Sequence, residues 1–253
     1  MNKFKEPYKI DDINLGNIRY VDKKETSDKT IIYTKYEDNG KLCNFAVQTP
    51  SLRNINDVIN RKGINELEIP LIGQNNMKTD KFIGFLNNLD KQITSDAKIN
   101  TDWFNNFYNG NVIRYQKTIR ECDDYTNGMI KIKIIKNDNF ETILQVNNKE
   151  TIGIENIEKE SWVKMILEVY AIWINKNGFG IFLRPILVSF KPFDKIEYNY
   201  KFIDESDNED VINTVMDNDS IFLKQDNNNT DNAETSILEL PHVNQLSSTS
   251  SDE

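Results

Sequence analysis

Histidine and cysteine are almost missing from this chain of 253 residues, which contains one histidine, His242, and two cysteines, Cys43 and Cys122. Zinc sites need several such ligands at short, regular spacings, and the two cysteines are far apart. A hydrolase of the Ser-His-Asp kind needs a histidine base, and residues 1–203 offer none. The sequence therefore predicts neither a metal site nor triad catalysis.

Phosphate-binding loops and membrane segments are missing as well. The ten glycines are scattered and form no Gly-rich loop. The first ten residues contain no apolar core of the kind a signal peptide requires. Glu168 and Arg184 interrupt the most apolar stretch, so no uncharged run reaches the roughly 20 residues needed to span a bilayer. We therefore expect a soluble, intracellular, non-enzymatic protein without cofactors or membrane contacts; an enzyme without recognisable motifs is the least favoured alternative.

Charge divides the chain into two parts. Residues 204–253 contain thirteen acidic residues and one lysine, Lys224, and therefore carry a charge of −12. Since the whole chain carries −9, residues 1–203 carry +3. A polar, acidic segment cannot bury enough apolar surface to offset the entropy lost on ordering. The sequence thus predicts a folded domain at residues 1–203 and a disordered acidic tail at residues 204–253.

The longest apolar stretch, residues 162–190, is broken once by Lys176-Asn177-Gly178. Asn-Gly between two apolar arms is a strong hairpin signal, because both residues tolerate positive φ. A turn at Asn177 and Gly178 places Trp173 opposite Phe182. Both arms are apolar on both faces, which is typical of central strands. Pro185 cannot donate to a ladder and therefore predicts a bulge or the free side of an edge.

Short alternating segments joined by turns make up the rest of residues 1–203, with one clear helix among them. The apolar stripe from Phe82 to Ile93 predicts a helix at residues 79–95 with Thr79 as N-cap. Strands are predicted at residues 13–24, 29–36, 41–48, 67–72, 112–119, 129–136, 141–146 and 198–203, with a short helix at 101–108. Tight turns between strands favour an antiparallel arrangement. The predicted fold is mainly β: an OB-like Greek-key barrel with an extra hairpin and an inserted helix.

Aromatic residues lie close to basic residues on several predicted strands. Proteins that bind single-stranded nucleic acid combine aromatic platforms for the bases with cations for the phosphates. Alternation in a strand can also place polar residues on the outer face and aromatic residues in the core, without any role in binding. By that argument Trp173 and Phe182 are predicted core residues. The candidate nucleic-acid contacts are Tyr33, Lys35, Tyr36, Arg114, Tyr115, Lys117, Lys131, Lys133 and Arg184.

Two of these positions have particular arguments. Lys131 and Lys133 share one face of a strand whose other face is isoleucine, which favours an exposed contact. Arg184 is a charge among apolar neighbours, so it needs an ionic partner or a ligand. Glu168 is a possible partner and a phosphate is the alternative.

Four segments resemble, in type and order, the single-stranded-DNA-binding proteins of nucleocytoplasmic large DNA viruses, the asfarvirus-like group with an OB-type core. These segments are KTIIYTKYEDNGKLCNFAV, TDKFIGFLNNLDKQI, MIKIKIIKNDNFETILQV and YAIWINKNGFGIFLRPILVSFKPF. The resemblance implies sequence-tolerant binding of single-stranded DNA in viral replication, recombination or repair. It also implies a location in viral factories of the host cytoplasm, with packaging in the virion as a further option.

The acidic tail has no close counterpart in that family. We expect it to recruit replication proteins or to compete with phosphates for the domain, unless it serves only solubility. The low body charge favours modest affinity or self-association on DNA, since affinity grows with the phosphates neutralised. The second hypothesis for the whole chain is a virion structural or scaffold protein whose β-domain binds other proteins.

Overall fold

The computed structural model describes residues 6–107 and 113–193, and these form sixteen β-strands and one α-helix. The strands are β1 (Ile18–Glu25), β2 (Thr30–Asp38), β3 (Lys41–Cys43), β4 (Ala46–Gln48), β5 (Leu52–Asn54), β6 (Ile59–Arg61), β7 (Ile64–Pro70), β8 (Tyr115–Gln116), β9 (Ile119–Cys122), β10 (Tyr125–Ile134), β11 (Lys136–Asn137), β12 (Phe140–Glu141), β13 (Ile143–Val146), β14 (Glu150–Thr151), β15 (Ser161–Asn175) and β16 (Gly178–Pro192). The helix is α1 (Asn76–Ile99), and 3-10 helices span Ile10–Asp12, Leu15–Asn17, Thr101–Phe104 and Ile154–Asn156.

Strands β15 and β16 form the centre of the main sheet, whose strand order is β1-β2-β15-β16-β13-β14. Strands β4 and β5 continue the β15 edge beyond β2, while β3 pairs with β2. Strands β8 and β13 pair with β16 in parallel, and the other pairings of this sheet are antiparallel. A second, antiparallel sheet has the order β6-β7-β10-β9. The predicted fold class is confirmed: the domain is mainly β, largely antiparallel and consistent with an OB-like barrel.

The central hairpin turns one residue earlier than the sequence predicts. Asn175 pairs with Gly178, so the two turn residues are Lys176 and Asn177. The side-chain oxygen of Asn175 accepts a hydrogen bond of 2.8 Å from the backbone N–H of Asn177, which is the local side-chain capping that asparagine provides in turns. The prediction of Asn177-Gly178 as the turn residues was therefore wrong, because it ignored the second asparagine.

This change of register moves the pairing by two residues. Trp173 lies opposite Gly180, and Phe182 lies opposite Ala171 rather than opposite Trp173. Because side chains alternate with a period of two, Trp173 and Phe182 still share one face of the sheet after this shift. Gly180 leaves room for the indole, since a Cβ there would lie 3.0 Å from the Trp173 ring.

Two bulges bend the hairpin. In β16 the register shifts between Pro185 and Leu187, which confirms the bulge predicted at this proline. In β15 the register shifts between Val169 and Ala171, and Tyr170 is the extra residue. A bulge redirects a side chain and increases the local twist. Tyr170 is thereby half-exposed in the middle of an otherwise buried stretch of β15.

The apolar core covers one face of the main sheet. The predicted stripe of α1 is buried there, with Phe82, Leu86 and Ile93 fully enclosed. The helix begins earlier than predicted, because Asn75 rather than Thr79 is the N-cap and accepts a hydrogen bond from the N–H of Lys78 at 3.0 Å. Along β2, alternate residues are buried and half-buried, so the core takes one face and leaves the other partly open.

We call that open side the outer face. By the cross-strand register it carries Ile31, Tyr33 and Lys35 of β2, Ala171, Trp173 and Asn175 of β15, and Phe182 of β16.

Some predictions lie outside the described residues or are only partly covered by them. Outside lie the predicted strand at 198–203, the tail at 204–253 that was predicted to be disordered, and the ends of the predicted segments at residues 108 and 112. The predicted strand at 112–119 is interrupted, since β8 ends at Gln116 and β9 begins at Ile119. In the part of the chain that the structure describes, no helix is long and apolar enough to cross a membrane.

Candidate nucleic-acid interface

A groove of about 510 Å³ opens between the outer face and the second sheet. We call it the cationic groove, because five cations and no acidic residue are found among the described residues that line it. The cations are Lys29, Lys117, Arg120, Lys131 and Lys133. Trp173 and Phe182 form its aromatic part. Three predicted contacts, Lys117, Lys131 and Lys133, are thus brought together with two aromatic side chains.

Lys131 is engaged within the protein. Strand β7 lies beside β10 and places Glu68 and Glu66 opposite Lys131 and Lys133. The Lys131 ammonium contacts Glu66 and lies 3.9 Å from Glu68, and its side chain is only 10% exposed. The prediction of an exposed lysine pair is therefore wrong for Lys131. Lys133 is 47% exposed and lies 4.0 Å from Glu66, which leaves it open to a ligand.

The remaining cations of the groove lie at its surface. Lys117 pairs with the exposed Glu121 at 3.2 Å, and a pair this exposed contributes little free energy. Lys29 and Arg120 are exposed, and no acidic group among the described residues lies within ion-pair distance of either. The sequence argument missed both, because neither is next to an aromatic residue along the chain. The fold brings them to Trp173 from distant strands.

Trp173 and Phe182 are half-buried rather than core residues. The prediction that both belong to the core is corrected by their position on the outer face. Ile172 and Ile174 flank Trp173 and are fully buried, so alternation places the indole on the opposite face. An aromatic ring that lines a cationic groove is a possible platform for a base.

A row of aromatic rings continues from the groove across the outer face. The Tyr170 ring lies 6.1 Å from Phe182 and 5.3 Å from Tyr33, both in edge-on geometry. A smaller pocket of about 250 Å³ lies beside Tyr33 and Tyr170 and is also lined by Lys35. The ammonium of Lys35 donates to the side-chain oxygen of Asn44 at 2.6 Å. The predicted contacts Tyr33 and Lys35 therefore form an extension of the groove.

Tyr36 lies in the core. The residue is only 4% exposed. Its ring stacks on Phe45 with the ring centroids 4.8 Å apart, and its hydroxyl accepts a hydrogen bond from the N–H of Asn14. No ring face is left for a base. The correction follows from the alternation of β2, in which Tyr36 shares a face with the buried Ile32.

Tyr115 holds α1 against the sheet. Its hydroxyl donates to Asp90 of the helix at 2.7 Å, and its ring packs edge-on against Phe179 at 5.0 Å. Burial and the Asp90 carboxylate raise the pKa of Tyr115 above its usual range. Thr118 donates to the same carboxylate through its hydroxyl and its N–H. Tyr115 is thus a structural residue, whereas its neighbour Arg114 is exposed and stays a predicted contact.

Arg184 is paired with Glu168. Its Nε donates to the carboxylate at 2.8 Å and a terminal nitrogen contacts the same oxygen. Glu168 is 2% exposed, and the guanidinium is flanked by the rings of Tyr170 and Phe140 at 3.6 and 4.4 Å. Of the two explanations for this charge, the ion pair is the one realised. Arg184 is therefore corrected from a phosphate contact to a structural cation.

The described residues contain no group of three or more His, Cys, Asp or Glu side chains that could hold a metal ion.

Comparisons with known proteins find no matching family model and no matching curated protein. Among solved structures, the chain is similar to the single-stranded DNA-binding protein from bacteriophage Enc34, with 14% identity, a TM-score of 0.38, and coverage of 75% of this chain and 98% of that one. The same phage protein in complex with ssDNA gives 14% identity, a TM-score of 0.37, and coverage of 70% and 97%. A C-terminal truncation of that phage protein gives 12% identity and a TM-score of 0.34, with coverage of 71% of this chain and 98% of that one. Because the identities and TM-scores are this low, a function for this chain has to be argued from its own residues.

Proposed function

We propose that this protein binds single-stranded DNA without strong sequence preference, through the cationic groove. The observation that carries the proposal is the grouping of exposed cations around half-buried aromatic rings. Lys29, Arg120 and Lys133 supply charges for phosphates, and Trp173 and Phe182 supply ring faces. Each base that stacks on such a ring gains about 1–3 kcal/mol, whichever base it is.

The geometry favours a single strand over a duplex. Stacking on Trp173 requires an unpaired base, since bases in a duplex are already stacked on their neighbours. Phosphate contacts alone would bind both forms, so the aromatic residues provide the discrimination.

The biological setting of the proposal comes from the family resemblance described above. We infer a non-enzymatic role in replication, recombination or repair of a large viral genome, in viral factories of the host cytoplasm or in the virion. Replication proteins that bind the acidic tail, and further copies of this chain on DNA, are the expected protein partners.

The alternative function, a virion scaffold, requires an apolar surface for a protein partner. The large apolar side chains exposed in the described residues lie on separate elements: Leu42 on β3, Ile64 on β7, Ile72 after β7, Met77 and Ile99 near opposite ends of α1, and Ile143 on β13. The cationic groove therefore supports DNA binding better than these residues support a scaffold.

A fluorescence-anisotropy titration tests the proposal. The probe is labelled oligothymidine of about 20 nucleotides, longer than the roughly 4–16 nucleotides that one OB fold covers. A duplex of equal length is the comparison, and salt is varied between about 50 and 200 mM. We expect tighter binding to the single strand and an affinity that falls with salt. Equal affinity for both forms, or no dependence on salt, would contradict the proposal.

A further inference from the structure

A second group of cations and aromatic rings lies at the other end of the central hairpin. On β15, Trp162 pairs with Arg53 of β5 on one side and with Lys191 of β16 on the other. Directly opposed residues share a face, and so does Lys164, two residues further along. All three cations are exposed and Trp162 is half-buried. We call Arg53, Trp162, Lys164 and Lys191 the distal patch.

The charges of the distal patch form no ion pair within the part of the chain that the structure describes. Among the residues that the structure describes, no acidic group lies within ion-pair distance of Arg53, Lys164 or Lys191. The next positions on this face are Ser189 opposite Lys164, followed by Ile166 with its partners Gln48 and Leu187, and none of them is acidic. The patch is therefore a local concentration of positive charge on a domain whose overall charge is small.

Aromatic surface accompanies these charges. The Phe193 ring lies 5.2 Å from Trp162, and the Arg53 guanidinium lies over Phe193 at 5.4 Å from its centroid. Cations beside half-buried rings are the same combination that lines the cationic groove, and they complement a phosphate chain with unpaired bases.

The distal patch and the groove share the outer face and are separated by its neutral centre. Trp162 and Trp173 are eleven positions apart along β15, which corresponds to roughly 36 Å at about 3.3 Å per residue. The extra residue Tyr170 shifts the alternation by one position, so both tryptophans lie on the outer face. Between them, Arg184 and Glu168 neutralise one another. A stacked strand that rises about 3.4 Å per nucleotide needs about ten nucleotides to cover this distance.

We propose that the distal patch binds the continuation of the strand that occupies the cationic groove, so that one domain holds a single strand at two separate points. This inference rests on the proposed function. An oligonucleotide long enough to reach both points gains affinity because its second contact is intramolecular. An oligonucleotide of about five nucleotides reaches only one point and cannot show this gain.

Oligothymidines of about 5 and 25 nucleotides separate the two points by length. The double variant Trp162→Ala with Lys164→Ala is expected to weaken binding of the long strand about tenfold or more and to change the short-strand affinity, which the groove determines, less than twofold. Because loss of Trp162 could disturb folding, Lys164→Ala with Lys191→Ala is the second variant. It should lower the salt slope for the long strand by about 1.4, at about 0.7 for each phosphate contact.

The chain's tryptophans supply an independent readout. Of the three, Trp103 is buried, so Trp173→Phe leaves Trp162 as the accessible indole. We expect the long strand to quench its fluorescence and the short strand, bound in the groove, to leave it nearly unchanged. Lys91→Ala with Lys98→Ala removes two exposed helix charges and serves as the matched control for both readouts.

The outcomes distinguish the two proposals. If the wild-type protein binds no single strand, the proposed function fails. If it binds the long strand and both distal variants bind that strand equally well, the function holds and the distal patch is excluded. An equal loss of affinity for the short and the long strand would also overturn the two-point inference. The effect of the distal patch would then not depend on a strand long enough to reach both points.

Discussion

The guanidinium of Arg184 is enclosed by Glu168 and Tyr170: it donates to the buried carboxylate and lies 3.6 Å over the tyrosine ring. The bulge at Tyr170 makes this arrangement possible, since it redirects the ring toward the neighbouring strand. A cation held by a carboxylate and two rings has little attraction left for phosphate. The centre of the outer face therefore has a structural role, and it lies between the cationic groove and the distal patch.

Arg184→Met should therefore destabilise the fold without weakening DNA contacts. Removing one member of a buried ion pair leaves the other charge uncompensated, at a cost of about 3–5 kcal/mol in the free energy of unfolding. The double variant Glu168→Leu with Arg184→Met should recover most of this loss, because it leaves no buried charge. Urea unfolding measures both. An Arg184→Met protein of normal stability with a lower salt slope for DNA would show that Arg184 contacts phosphate after all.

Lys29→Ala with Arg120→Ala should lower the salt slope of single-strand binding by about 1.4, because each phosphate contact contributes about 0.7. Anisotropy titrations at several salt concentrations measure the slope. The helix variant Lys91→Ala with Lys98→Ala changes the net charge equally and should leave the slope unchanged. Equal slopes in the two variants would mean that the groove is not the phosphate site.

Trp173→Ala should weaken single-strand binding by about 1–3 kcal/mol, the range found for the loss of one stacked base. Trp173→Phe should restore most of the affinity, since it keeps a ring face above Gly180. Salt dependence should be the same in both variants, because no cation is lost. If Trp173→Ala binds as tightly as the wild type, bases do not stack at this position.

Alkaline pH should destabilise the domain through Tyr20 and Tyr115. Burial first, and then the neighbouring carboxylates Asp96 and Asp90, raise the pKa of both phenols above the ordinary value of 10.0. The folded state keeps these protons while the unfolded chain releases them, so the stabilisation is complete below about pH 10 and is lost as pH rises further.

Each tyrosine contributes up to about 1.4 kcal/mol per pH unit in that window. Chemical unfolding at pH 9 to 11 measures the slope, with pH values chosen around the ordinary tyrosine pKa of about 10. Tyr115→Phe should reduce the slope, because it removes one of these titrating phenols. A slope unaffected by this substitution would assign the alkaline loss to other groups.

Local patterns were sufficient for much of the fold. The helical stripe that includes Phe82 and Ile93, the hairpin and the bulge at Pro185 all follow from residues near one another in the chain. The turn position was wrong because Asn175 competes for the N–H of Asn177. That competition depends on the detailed geometry of one turn, which spacing does not specify.

The candidate site was harder to predict because it is assembled from distant strands. The sequence predicted an exposed Lys131, but β7 brings Glu66 to its ammonium from more than sixty residues earlier in the chain. Lys29 reaches the groove because β2 pairs with β15, and Arg120 reaches it on β9 beside β10. The face of Trp173 was also hard to predict, because its strand is apolar on both faces and only the structure shows that Ile172 and Ile174 are the buried neighbours.

The order in which the chain is synthesised limits when the main sheet can form. Strand β15 pairs with β2, β4 and β5, which precede it by more than a hundred residues. While a ribosome is still making the first 160 residues, these strands have no hydrogen-bonding partner at the centre of the sheet. The hairpin of β15 and β16 closes locally once it emerges, and the long-range pairings then form around it. Nascent chains that stop before β15 thus lack the strand on which β2, β4 and β5 all pair, and we expect their exposed strand edges to favour aggregation and chaperone binding.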